Sequence, residues 1–161
     1  MTPLEQVNYE LRKLLTQARK AKEITLKNAY IRNEKNISEI KSFETFIKSK
    51  QSSIEKKEEE SKALFPFIDI LKECIEKNEK NKESYEKVPD DEYEDSKQGL
   101  YLSIRILEED IQLIEKEIIF GNIAIETYKK KIEHTKELIS INERSIKRET
   151  YDLEKNEKYK L

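Results

Sequence analysis

Glycine and proline are nearly missing from this chain, with two and three residues among 161. So few turn-formers exclude a sandwich or barrel of short strands and leave long uninterrupted segments as the way to organise the polypeptide. Tryptophan does not occur, and histidine and cysteine occur once each, as His134 and Cys74. One cysteine cannot close an internal disulfide, so no oxidising compartment is needed, and the expected location is cytoplasmic. Cys74 shares an apolar row with Phe67 and Leu71 and is flanked by Glu73 and Glu76, a setting that disfavours the thiolate and suits a small hydrophobe. A di-metal helical bundle needs Glu-x-x-His on two helices, and one histidine cannot supply it, so His134 reads as a solvated side chain. Neither Gly99 nor Gly121 belongs to a glycine-rich phosphate loop. No stretch reaches the ~18 apolar residues of a membrane-spanning helix. The start, Met-Thr-Pro-Leu-Glu-Gln, lacks the charged-then-apolar pattern of a signal peptide. The expectation is therefore a non-enzymatic protein with no cofactor, no metal and no membrane association.

What the chain does contain is charge. Charged residues make up 41% and hydrophobic ones 35%, with a net charge of only -2. A globule of this size would need nearer half its residues apolar, whereas thin helices can share one narrow seam. Regular Ile and Leu spacing argues against disorder. The charge is uneven: residues 1–50 carry 11 basic against 6 acidic side chains, and residues 51–99 carry 9 against 15.

Thr2-Pro3-Leu4-Glu5 combines a capping hydroxyl, a proline at the first helical position and a glutamate that completes a capping box, which predicts a helix start near residue 3. Leu4, Val7, Leu11 and Leu14 follow at spacings of three and four, forming an apolar stripe that Ala18 and Ala21 continue. Further along, Tyr30, Ile37, Ile40, Ile47 and Ile54 make a weaker row interrupted by Asn33, Glu44 and Gln51. Pro66 lies inside a richer stretch (Leu64, Phe67, Leu71) and predicts a kink, as a bend or short break. Val88-Pro89-Asp90 to Asp95 reads as the chain reversal. From Leu100 the strongest pattern begins: Leu100, Ile104, Leu107, Ile111, Ile114, Ile118, Gly121, Ile125, Tyr128, Ile132, Thr135, Ile139, Asn142 and Ile146 keep an unbroken four-three alternation. Leu102, Ile106, Leu113, Phe120 and Ile123 are expected to widen that stripe.

These signals predict an all-α fold, an elongated antiparallel coiled-coil helical hairpin kinked near Pro66. A three-helix bundle, formed by a break near Asn28 or Asn33, is the competing arrangement. One helical domain spans 1–161, with a first arm over 1–88, an acidic turn over 89–95 and a second arm over 96–161. A reversal near residues 90 to 92 places Leu71 opposite Ile111, Ile68 opposite Ile114, Leu64 opposite Ile118 and Ile54 opposite Tyr128, with Gly121 against Ser61 and Ala63. The same register leaves the first twenty residues without an intramolecular partner.

Leaving Leu4, Val7, Leu11 and Leu14 in water forgoes about 1.5–3 kcal/mol of burial per side chain, so the stripe is expected to pack on another copy, giving a homodimer, or on another protein. The expected function is a protein–protein interaction module of the scaffold or adaptor kind. Two alternatives stand beside it. One is a small inhibitor from a phage or mobile element that blocks a host enzyme or defence complex. The other is nucleic-acid binding through Arg12, Lys13, Arg19 and Lys20, which is not favoured, because the basic residues occupy several helix faces and no DNA-binding motif accompanies them.

Overall fold

The structure, a computed structural model, describes residues 1–84 and 90–155, with side chains described over 1–80 and 92–155. Two helices account for them: α1, Pro3–Ser84, of 82 residues, and α2, Asp90–Glu154, of 65. They pack against each other as a helical hairpin.

The start of α1 is built as its residues dictate. The Thr2 backbone N–H donates to Glu5 Oε2 at 2.7 Å, and the Glu5 backbone N–H donates to Thr2 Oγ1 at 3.2 Å, the two reciprocal bonds of a capping box. The helix then continues unbroken through Asn28 and Asn33, where a third-helix arrangement would need it to turn, and through Pro66. No break forms at the proline. Pro66 and Lys62, whose carbonyl loses its helical donor, both lie on the exposed side, so water can take the place of the missing N–H.

Of the expected turn over 89–95, Asp90–Asp95 form the first turns of α2 instead. Acidic side chains are stabilised at the positive end of a helix, which favours helical over turn geometry for this run. Residues 85–89 and 156–161 lie outside the described residues.

The chain divides into two compact units, Met1–Phe46 with Tyr128–Leu161, and Ile47–Thr127. In the second, Ile68, Ile75, Ile104 and Ile111 form a buried cluster, with Leu64, Leu71, Leu100 and Leu107 packed against it. All lie on the four-three rows of their helices, and in α2 this is the row the sequence predicts. Ile54 Cγ1 and Cδ1 lie 3.0 Å from where a Cβ on Gly121 would sit, so the glycine admits the isoleucine and any side chain there would force it aside. Lys57 pairs with Glu117, and Lys97 with Glu79 at 3.2 Å, on the flanks.

The Ile54–Gly121 contact corrects the expected register. Ile54 meets Gly121 rather than Tyr128, a displacement of seven residues or one heptad, and the same shift sets Leu64 level with Ile111 and Leu71 level with Ile104. The acidic run from Asp90 already belongs to α2, and a heptad pattern accepts the slip without exposing an apolar layer.

In the first unit Tyr128 stacks on Phe46 (ring centroids 4.0 Å apart, planes at 23°) and meets Phe43 edge-on at 5.5 Å, with Lys131 Nζ 4.6 Å above its ring. The seam here mixes apolar residues, among them buried Ala29 and Ile132, with polar ones. Asn33 is buried with its Oδ1 lacking a hydrogen-bond partner, and Thr135 and Glu149 are buried on α2. Tyr30 and Ile37, expected on the seam, are exposed, because the covered row runs through Ala29, Asn33, Asn36 and Ile40.

Lys22 supplies counter-charge for Glu149 from across the seam, alongside Arg148, whose Nε donates to Glu149 Oε1 at 3.3 Å. Lys22 Nζ donates to Glu149 Oε2 at 2.9 Å and to Asp152 Oδ2 at 2.8 Å. The hydrogen bonds to Asp152 and Glu149 hold the Lys22 ammonium well above the ordinary lysine range.

Candidate interaction surface

The stripe that opens α1 lies beyond this mixed seam. Leu4 is 70% exposed, Val7 63%, Leu11 52% and Leu14 60%, and the last three line one open apolar patch with Gln6 and Glu10. Within this unit Lys22 meets Asp152, so the last residues of α2, near Glu154, come level with about residue 20 of α1, and among the described residues nothing on α2 reaches the stripe. At about 100° per residue, Leu4 and Leu11 project within about 20° of Lys22, onto the side of α1 that α2 covers further along.

The basic candidates flank this stripe without converging. Arg12 and Arg19, seven residues apart, share one side of α1, and Lys13 and Lys20 share another roughly 100° away. Arg12, Lys13 and Lys20 are exposed, and Arg19 Nε reaches Glu23 Oε1 at 3.4 Å. They form two rows, not one strip.

A second apolar surface lies on α2, within the unit Ile47–Thr127. Leu102, Ile106, Leu113, Phe120 and Ile123, expected to widen the seam, are each half to two-thirds exposed. Each stands two positions after a seam residue, and two residues turn the helix by about 200°, so these side chains occupy the face opposite the seam. Their own four-three row, with Glu109 and Lys116 between them, carried the signal: a row offset by two is a second face. Phe65, Phe67 and Ile70 of α1 are also exposed.

Comparison of the chain with family models, curated proteins and solved structures gave no match.

Among the described residues no helix is long and apolar enough to cross a membrane, and no group of His, Cys, Asp or Glu gathers as a metal site. His134 is exposed, and Cys74 is half-buried beside the cluster row. The surfaces that ask for an explanation are therefore the two apolar faces.

Proposed function

We propose that this chain is a non-enzymatic protein–protein interaction module, of the scaffold or adaptor kind, that engages its partner through Leu4, Val7, Leu11 and Leu14. The observation that supports the reading is the exposure of all four leucine and valine side chains on a helix start held by a closed capping box. A stiff, capped helix end presenting an apolar stripe gives up little conformational entropy on docking, which favours association over solvation. The partner in its simplest form is a second copy, a homodimer being the smallest product. The split of Arg12, Lys13, Arg19 and Lys20 between two helix sides gives less support to nucleic-acid binding.

Light scattering tests this directly. The intact chain is expected to show a mass above that of one chain at micromolar concentration, and Leu11→Glu to shift it to the monomer. A monomeric mass for the intact protein at high micromolar concentration would refute self-association.

A further inference from the structure

We propose that the stripe Leu4–Leu14 docks on the outer face of α2 of a second copy of this chain, around Leu113, Phe120 and Ile123, in antiparallel orientation. The inference rests on the reading that another polypeptide covers the stripe, and it names the surface that does so.

Charge decides between the possible pairings. Residues 4–20 carry four basic side chains against two acidic ones, while residues 102–123 carry two basic against five acidic. Stripe on stripe sets net positive against net positive, and outer face on outer face sets net negative against net negative. Only the unlike pairing attracts. No break in α1 lets residues 4–14 turn back onto their own α2, so the acceptor belongs to another copy.

Spacing supports the match. Leu4, Val7, Leu11 and Leu14 are separated by three, four and three residues, and Leu113, Lys116, Phe120 and Ile123 by the same intervals. Laid antiparallel, Leu4 comes level with Ile123, Val7 with Phe120 and Leu14 with Leu113, while Leu11 lies along the aliphatic stem of Lys116. Glu10 comes level with Glu117, whose charge Lys57 already offsets. Laid parallel, Arg19 and Lys20 fall beside Tyr128 and Lys129, next to Lys130 and Lys131, where the charges repel. The antiparallel contact is heterologous: each copy keeps one unused stripe or face, so assembly proceeds beyond two copies or closes into a ring.

Complementation between two full-length variants tests the proposal. Leu11→Glu spoils the stripe and keeps the face; Phe120→Glu spoils the face and keeps the stripe. Each alone is expected to lose about a hundredfold in association, as measured by sedimentation equilibrium. Their equimolar mixture is expected to form a 1:1 heterodimer that grows no further, and raising the salt should weaken it. Both positions are exposed, and circular dichroism reports whether each variant keeps its helices. Glu108→Lys combined with Glu115→Lys, at exposed sites, turns the net charge of residues 102–123 positive and should reproduce the loss if Phe120→Glu fails to fold. If Phe120→Glu and the charge-reversed variant associate like the natural protein while Leu11→Glu does not, the acceptor is not α2 and this inference falls, leaving the stripe as an interface. If Leu11→Glu also associates normally, both readings fall.

Discussion

The unit Ile47–Thr127 and the unit of Met1–Phe46 with Tyr128–Leu161 use the same heptad spacing to opposite ends. In the first, isoleucine and leucine fill successive layers around Ile68, Ile75, Ile104 and Ile111. In the other, polar side chains alternate with apolar ones: Asn33, Thr135, Glu149 and Lys22 share the covered rows with Ala29, Ile132 and the Phe43, Phe46 and Tyr128 rings. Interchangeable apolar layers supply burial and are indifferent to a slip of seven residues. A buried carboxylate that needs one particular ammonium is not indifferent, because the slipped register strands a charge in a dry seam. The difference teaches that burial and register are supplied by different stretches of one hairpin.

The largest effect is expected where burial is concentrated. Ile68→Ala should destabilise the hairpin by about 3 kcal/mol, since the narrow seam offers few neighbours to collapse into the space. Chemical denaturation reads this, and a loss no greater than for an exposed alanine substitution would break the contrast between the units. Next comes Lys22→Met, which removes the ammonium that bridges Glu149 and Asp152 across the seam, leaves Glu149 with the exposed Arg148, and should cost about 2 kcal/mol. The Lys22 ammonium titrates above its unfolded value, so its contribution is fully present below the ordinary lysine pKa and is lost only as pH rises through the raised one. The gap between Lys22→Met and the natural protein should therefore stay constant from about pH 7 to about pH 9. A gap that closed within that window would show that Lys22 does not hold the carboxylates as described. The smallest effect sharpens the comparison from the other side. Asn33→Leu removes a buried oxygen that has no hydrogen-bond partner and should stabilise by about 1 kcal/mol. If it destabilises instead, the amide makes a contribution that an apolar layer cannot replace.

Much of this was legible in the residues. The helix start followed from Thr2-Pro3-Leu4-Glu5, because a capping box is a local device that needs no tertiary partner. The α2 row from Leu100 to Ile146 followed from its unbroken alternation, and every member is buried or half-buried. The stripe at Leu4–Leu14 followed from its three-four spacing, and all four side chains are exposed. The α1 row was misjudged at Tyr30 and Ile37, because periodicity follows apolar residues and the covered row there is half polar. The second face of α2 was taken for a broadening of the first, since the offset of two that separates them is visible only when each row is traced on its own.

By itself, then, the sequence determined that two long helices form, where the first begins, which side of α2 is covered and that one end of α1 is left bare. These depend on local hydrogen bonding and on the match between apolar spacing and the helical repeat. Only the tertiary structure decided the register, the burial of Asn33 and Glu149, and the entry of Ile54 beside Gly121. A heptad pattern is degenerate under a seven-residue shift, and the layers that lift the degeneracy are pairs whose members lie far apart in the chain. Their meeting depends on where the chain turns.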